Sequence, residues 1–437
     1  MKRRLFLILL AACLGLAACQ AQNIPGTTPS TEKPTEPTPS DLPVETTQET
    51  VGTEPVSTEE PTTPSTEAPT EPTPPEAEGL GFTALDSGLI AYLRANGLAE
   101  KSFTVSPLSL KAALALTALG AEGETQRQIL DVLGFQSVDA LTAWYASVLV
   151  GVADFDGRIF GADKSDCAYR VVNAIFHNAS CDGEFRDSYK DAAAKLLAAE
   201  ASSYPAEQIT AAINQWVNDQ TAGMIPAVVN DASKSAAVLV NALYLKTKWT
   251  EPFGEVGMRD FTTVKGETVQ KEFITKTDSF RYYDDKKTQM VVVPLQGGVS
   301  MALILGEEAD LSEMLQAADT KRVRVTLPKF EVETSLSNKE LVNYLAASGC
   351  KRMFVDGGAE FAPMFTQELY VDDIIQKAKV KVDEKGLEAA AATAMIMNRA
   401  TAMMDEPVEF TADRSFRFVI FREDDAPELL FWGQIMD

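Results

Sequence analysis

The sequence predicts an α+β fold for a body of roughly 355 residues, which extends from about Gly81 to Asp437. Helix-like and strand-like segments are mixed through this body without the regular alternation that a parallel sheet requires. The 45 % hydrophobic fraction of the 437 residues is enough for a large core. Because neither a linker nor a repeat interrupts residues 81–437, we expect them to form one folded domain.

Four segments of the body have the periodicity and the end signals of helices. Ser106 before Pro107 is typical of a helix start, because serine can cap the first turn and proline fits its first position. A glycine follows each of the first two periodic apolar segments, as it often does where a helix ends. These signals predict helices from Pro107 to Gly120, Thr125 to Leu133, Ile209 to Gly223 and Asn338 to Ser348.

Strand-like runs are longer than average in this body. The run from Ala236 to Lys246 is almost entirely apolar, which indicates a strand buried on both faces of a sheet. The run from Lys321 to Glu333 alternates apolar and polar residues, and Pro328 breaks it. Further strands are expected at Tyr169 to His177, Met290 to Pro294, Met301 to Leu305, Ile374 to Val382 and Arg417 to Phe421.

Residues 1–19 have the pattern of a secretion signal. Lys2, Arg3 and Arg4 precede an apolar run that is too short for a membrane span. The run ends in Leu-Ala-Ala-Cys19, which resembles a bacterial lipobox, whose cysteine is acylated and becomes the first residue of the mature protein. The alternative is an ordinary signal peptide cleaved nearby. We expect an extracellular, cell-surface protein anchored to the bacterial membrane through lipid on Cys19.

Residues 20–80 separate this signal from the body. They contain 13 of the chain's 22 prolines, 12 acidic residues and one lysine, and threonine and serine fill most other positions. Such a segment cannot bury much apolar surface, and its charges repel one another. The sequence therefore predicts a disordered, extended tether.

The composition excludes several chemistries. His177 is the only histidine, so a metal site with two or three histidine ligands cannot form. The formal charge of −24 disfavours nucleic acid as a partner. No phosphate-binding loop and no cysteine or histidine metal motif occurs, so neither a cofactor nor a metal is expected. Cys167, Cys181 and Cys350 are expected to be free thiols.

The segment from Asp383 to Pro407 carries conflicting structural signals. Its alanine run favours a helix, and an alanine-rich surface helix is one interpretation. A period of two, which indicates a strand, is the other, and such local conflicts tend to occur at functional sites. In a strand with this period, one face would carry small or apolar side chains, namely those of Leu387, Ala389, Ala391, Thr393, Met395 and Met397.

Seven short motifs lie along the body from Ser106 to Gly433. They are Ser106-Pro-Leu-Ser109, Leu119-Gly-Ala-Glu-Gly-Glu-Thr125, Asn173-Ala-Ile-Phe176, Ile213-Asn-Gln-Trp-Val217, Leu239-Val-Asn-Ala-Leu-Tyr-Leu-Lys246, Leu327-Pro-Lys-Phe330 and Leu430-Phe-Trp-Gly433. Their order and spacing resemble those of the serpin family, and the similarity covers essentially all of the body.

The resemblance implies three β-sheets, eight or nine helices and an exposed reactive loop at about residues 384–407. It implies a monomeric inhibitor of serine proteases, not an enzyme. After the protease forms its acyl-enzyme, the cleaved loop inserts into the central sheet and the covalent complex is trapped. A non-inhibitory serpin that serves as a surface binding or structural module is the alternative.

The resemblance also assigns the hinge, where the loop begins. Leu387 departs from the family, which prefers threonine or serine there, but an inserted leucine costs far less than an inserted charge. The hinge residues are Glu384, Gly386, Leu387, Glu388, Ala389, Ala390, Ala391, Ala392 and Thr393.

The scissile bond is placed at Ala400-Thr401 by counting from the hinge glycine. Ala400 suggests an elastase-like protease, whereas a shift of one residue gives Arg399 and a trypsin-like protease. Met403 is a further alternative, because the loop is a few residues long on its C-terminal side.

Two conserved regions of the family complete the expected site. Lys329 and Glu384 match an ion pair near Trp249, in the region called the breach, where insertion begins. The shutter beneath the sheet is matched by Ser106, Ser109, Asn241 and Gln376. Many serpins have a histidine at the last of these positions, and glutamine donates and accepts hydrogen bonds without titrating.

Overall fold

The computed structural model describes residues 83–159, 166–336, 339–387, 406–423 and 428–437. The signal, Cys19 and the tether lie outside the described residues, as does the part of the reactive loop at 388–405.

Eight α-helices occur in the described part of the chain. The four expected helices are confirmed as α2, α3, α6 and α8, and the other four were not predicted. In α4 the outward position Val150 is 59 % exposed, so apolar residues on both faces obscure the helical period. The helices are α1 Ala84–Leu93, α2 Pro107–Leu119, α3 Gly123–Leu133, α4 Val138–Phe155, α5 Asp187–Leu197, α6 Ala206–Gln220, α7 Leu311–Ala317 and α8 Glu340–Ala347.

Six strands form the sheet that contains the hinge, in the order β10, β11, β12, β4, β2, β3. Strands β2 and β4, and β10 and β11, are antiparallel, whereas β11 runs parallel to part of β4. The strands are β2 Ala168–Asn178, β3 Glu200–Tyr204, β4 Ala237–Lys248, β10 Phe330–Leu336, β11 Asp373–Val382 and β12 Gly386–Leu387.

The remaining nine strands form a second sheet. Its 17-residue strand β6 pairs with β5 and β9 along most of its length and with β7 only at its end, so β6 joins two sheets into one. The three sheets implied by the resemblance are therefore two hydrogen-bonded sheets here. The strands are β1 Phe103–Val105, β5 Gly254–Thr262, β6 Thr268–Asp284, β7 Thr288–Pro294, β8 Val299–Gly306, β9 Asp319–Pro328, β13 Val408–Thr411, β14 Phe416–Arg422 and β15 Glu428–Ile435.

Pro328 separates two strands of different sheets. Strand β9 ends at Pro328 in the nine-stranded sheet, and β10 begins at Phe330 in the six-stranded sheet. The break predicted from the sequence is thus confirmed. It places Lys329 at the junction of the two sheets.

Helix α2 lies between the sheets, where it contacts β2 and β4 of one and β15 of the other. The Ser106 hydroxyl accepts a hydrogen bond from the Ser109 amide, as expected for a cap. Every residue from Pro107 to Ala118 is buried. The start of α2 is therefore fixed beneath the six-stranded sheet.

One of the buried residues of α2 is a lysine. Lys111 Nζ lies 3.2 Å from the Asp86 carboxylate and 3.3 Å from that of Glu428, and all three residues are at most 9 % exposed. Burial lowers the pKa of Lys111, but the two carboxylates outweigh this and raise it. Burial raises the pKa of Glu428. Lys111 therefore remains charged and lies between the two carboxyl groups.

Candidate functional site

The start of the expected reactive loop is part of the six-stranded sheet. Leu387 is paired antiparallel with Val382 of β11 on one side and with Thr247 of β4 on the other. It is 3 % exposed and belongs to the main hydrophobic core. The expectation of an exposed loop over all of residues 384–407 is therefore wrong for Leu387, because two neighbouring strands bury it.

A tight turn leads from β11 into β12. The Asp383 carboxylate accepts hydrogen bonds from the amides of Lys385, at 2.8 Å, and Gly386, at 3.2 Å. Gly386 has a φ of +151°, and a Cβ there would lie 2.3 Å from the carbonyl oxygen of Thr247. Only glycine fits this position without a shift of the β4 backbone.

Trp249 fixes the same turn from the end of β4. Its indole nitrogen donates to the Asp383 carbonyl at 2.9 Å, and its amide donates to the Lys385 carbonyl at 2.9 Å. The Phe253 amide donates to the Glu384 carbonyl at 2.8 Å. Trp249 is 1 % exposed, and its ring centre lies 5.1 Å from that of Phe253. The hinge is thus held by backbone bonds as well as by side chains.

The expected ion pair of the breach is present, but it is shared. Lys329 Nζ lies 2.9 Å from the Glu384 carboxylate, 3.0 Å from Glu255 and 3.1 Å from Glu272. Partial burial lowers the pKa of Lys329, but its hydrogen bonds to the glutamates outweigh this and raise it. If Glu384 leaves, two carboxylates still neutralise Lys329. Neither Glu255 nor Glu272 was identified from the sequence, because no local signal connects strands β5 and β6 with the hinge.

Strands β4 and β11 pair directly only over Asp373–Gln376 and Val238–Asn241. Beyond Gln376 no described strand lies between residues 377–381 of β11 and residues 242–246 of β4, and we call this interval the β4–β11 cleft. At its hinge end Leu245, Val380 and Leu387 line a cavity of only about 10 Å³. The cleft leads directly from the hinge to the shutter.

The structure brings the shutter residues together under the far end of the cleft. The Gln376 amide group donates to the Ser106 carbonyl at 2.9 Å and accepts from the Ser106 amide at 3.1 Å. Asn241, the register partner of Gln376, donates to the side chain of Asn173. The Ser109 hydroxyl and the Asn241 carbonyl oxygen are buried without a hydrogen-bond partner in the described structure.

Replacing Gln376 with leucine is expected to destabilise the shutter by about 1–3 kcal/mol, because it leaves the buried Ser106 amide without an acceptor, whereas the Ser106 carbonyl still accepts from the Leu110 amide. Chemical denaturation of the uncleaved protein measures this change. The matched control is Gln270→Leu, whose glutamine bonds an exposed Asp260 and should change stability by less than about 0.5 kcal/mol. Equal effects of the two changes would contradict the role of Gln376.

The single histidine and the three cysteines of the body are the other residues with reactive side chains. His177 lies on β2, is 1 % exposed and packs 4.6 Å from the Phe365 ring. Burial lowers its pKa, so it is neutral at physiological pH. Cys167, Cys181 and Cys350 are free, as expected.

The sequence places the remaining site residues on the part of the loop outside the described residues. These are Glu388, Ala389, Ala390, Ala391, Ala392, Thr393, Arg399, Ala400, Thr401 and Met403.

The site is thus a hinge held between β4 and β11, at the end of the cleft that separates these two strands. The family model described as serpin (serine protease inhibitor) matches residues 89–437 of this chain. The chain belongs to the serpin family.

Similar proteins carry names that fit this family. A serine protease inhibitor of Cyanea capillata is 31 % identical over 77 % of this chain and 92 % of its own length. Leukocyte elastase inhibitor A of Rattus norvegicus is 32 % identical over 76 % and 91 %. The family model and these relatives are described as protease inhibitors rather than enzymes, and the chain is likewise not an enzyme.

Solved serpin structures share the fold. Tengpin, a thermophilic serpin in its native state, superposes with a TM-score of 0.68 at 22 % identity, over 81 % of this chain and 93 % of its own. Serpin48 of the insect Tenebrio molitor gives 0.66 at 24 % identity, over 80 % and 95 %. The α+β serpin fold expected from the sequence is confirmed.

Proposed function

We propose that this chain is a suicide-type inhibitor of serine endopeptidases, which traps the acyl-enzyme when its cleaved loop enters the β4–β11 cleft. The observation that carries the proposal is the position of Leu387 between β4 and β11. This position supports the proposal, because an inserted loop that continues the register of Leu387 would have every second residue facing the core.

The register of Leu387 can be extended along the cleft. Each further loop residue moves one position back along both β4 and β11, so Thr393 reaches Asn241 and Gln376 together. Those two residues now pair directly with each other. Insertion would therefore end their pairing and place a hydroxyl beside the buried Asn241 oxygen, which has no hydrogen-bond partner among the described residues.

Side chains alternate between the two faces of a strand, and Leu387 points into the core. In the proposed inserted strand, Ala389 and Ala391 would follow on the same face. Their neighbours in the extended register are Leu245 with Val380 and Leu243 with Ala378, all of which are at most 5 % exposed. Small side chains suit these narrow positions, and this agrees with the alanine-rich composition of the loop.

The target is proposed to be elastase-like, with Ala400-Thr401 as the scissile bond. Arg399, for a trypsin-like protease, and Met403 are the alternatives. Mass spectrometry of the peptide released from a protease complex distinguishes them, since each bond gives a fragment of a different mass.

We further propose a monomer displayed outside the cell and held at the bacterial membrane by lipid on Cys19. The support is the lipobox-like sequence and the acidic tether of residues 20–80. Replacing Cys19 with serine should release the protein from the membrane fraction. Retention of the C19S protein there would contradict lipid anchoring.

Incubation with elastase and with trypsin tests the inhibitory function. We expect a covalent complex that survives denaturing electrophoresis with at least one of them, and a large rise in the unfolding temperature of the cleaved inhibitor. Insertion adds a strand to the middle of a sheet, which is the physical reason for the rise. Clean cleavage without a complex or a rise would instead support the non-inhibitory alternative.

That alternative is favoured by one observation, the burial of Leu387. A leucine in the core holds the hinge more firmly than an exposed residue would, at about 1.5–3 kcal/mol for a fully buried side chain. If this contact slowed further insertion, the protein would be cleaved as a substrate. The rise in unfolding temperature separates the two functions, because only an inserted loop produces it.

A further inference from the structure

Two lysines face each other across the hinge end of the β4–β11 cleft. Lys246 precedes Thr247 on β4, and Lys381 precedes Val382 on β11. Thr247 and Val382 are the two partners of Leu387. Lys246 is half-buried and Lys381 is exposed, and neither makes an ion pair among the described residues.

Their position identifies the loop residue that they would meet. Extending the observed register by one residue places Glu388 opposite Lys246 and Lys381 simultaneously. Directly opposed residues of antiparallel strands point to the same face of a sheet. Leu387 faces the core, so both lysines face the other side, and an inserted Glu388 would face the same side as the lysines.

The charges around this position favour a carboxylate. The nearest acid on the neighbouring strand is Glu331 of β10, which is the register partner of Lys381. Glu331 already pairs with Lys379 at 2.7 Å. Glu331 also attracts Lys381, but a single carboxylate cannot neutralise Lys379, Lys381 and Lys246 together, so net positive charge remains at the position where the first charged residue of the loop would enter the sheet.

We infer that Lys246 and Lys381 form a receptor for the Glu388 carboxylate and thereby assist the first step of loop insertion. The inference rests on the proposed function. Strands in a sheet are about 4.8 Å apart, so a carboxylate on an inserted strand lies within reach of a lysine on each side. The pair compensates the one acidic side chain that must enter between β4 and β11 ahead of the alanines.

The test combines K246Q/K381Q, E388Q and the triple variant in a double-mutant cycle. For each protein the loop is cleaved with elastase or trypsin, and the unfolding temperature of the cleaved form is measured. We expect the lysine changes to lower it by about 2 °C, since two cross-strand ion pairs are lost. E388Q should lower it by a similar amount, and the triple variant should show no further loss. The fraction of protease trapped as covalent complex should fall about threefold in parallel.

Lys377→Gln is the matched control. Lys377 lies on the same face of β11 as Lys381, but it pairs with Glu333 at 2.8 Å. When the register of Leu387 is extended along the cleft, the loop residue opposite Lys377 is the uncharged Ala392. The effect of Lys377→Gln should therefore add to that of E388Q. If the wild-type protein gains stability on cleavage but the effects of K246Q/K381Q and E388Q are additive, the lysine receptor is wrong and the inhibitory function stands. A wild type that gains no stability on cleavage would overturn the inhibitory function, and the receptor with it.

Discussion

Replacing Ala391 with glutamate is expected to convert the protein from an inhibitor into a substrate. In the extended register this side chain enters the core between Leu243 and Ala378, both at most 4 % exposed. An unpaired carboxylate buried there costs several kcal/mol, which is enough to reduce the trapped fraction more than about 100-fold. Denaturing electrophoresis after incubation with the target protease measures the loss of complex, while the cleaved band persists.

The matched control is Ala390→Glu, the same change one residue earlier. In the extended register its side chain would lie on the opposite face, beside Lys379, which already pairs with Glu331 but whose positive charge still offsets part of the cost of a second carboxylate. This variant should still form most of the covalent complex. If the two glutamates behave alike, the register of insertion derived from Leu387 is wrong.

Replacing Lys111 with methionine is expected to lower the free energy of unfolding by about 3–5 kcal/mol. The change keeps the shape of the side chain but leaves Asp86 and Glu428 buried without the cation between them. The midpoint of urea unfolding of the uncleaved protein, followed by circular dichroism, measures the loss.

Arg127→Met removes a comparable number of ion pairs at an exposed site, where Arg127 contacts Glu124 and Asp131. It should cost less than about 1 kcal/mol. A loss of less than 1 kcal/mol for Lys111→Met as well would show that the buried cluster does not stabilise the fold.

The order of elements was predictable where a local pattern specifies them. The cap at Ser106, the break at Pro328 and the buried strand β4 all follow from residues adjacent in the chain. Helix α4 was missed because its outward face also carries apolar residues, such as Val150. Periodicity identifies a helix only when its two faces differ in polarity.

The residues of the hinge were identified from the sequence, but the burial of Leu387 in the sheet was not. Glu384, Gly386 and Leu387 were assigned by resemblance, and the ion pair with Lys329 was expected. That Leu387 is already buried depends on β4, more than a hundred residues earlier in the chain. The contacts of Glu255 and Glu272 with Lys329 depend on strand pairings that no local signal encodes.

By itself the sequence determined the family of the chain, the expected place of its reactive loop and the presence of a single histidine. Each of these depends on which residues are present and in what order. Only the tertiary structure decided the register in which Leu387 enters the sheet, and hence that Lys246 and Lys381 flank the position that follows. Shifting a strand by one residue exchanges its two faces, so the side chain that meets the core is decided only when the strands pair.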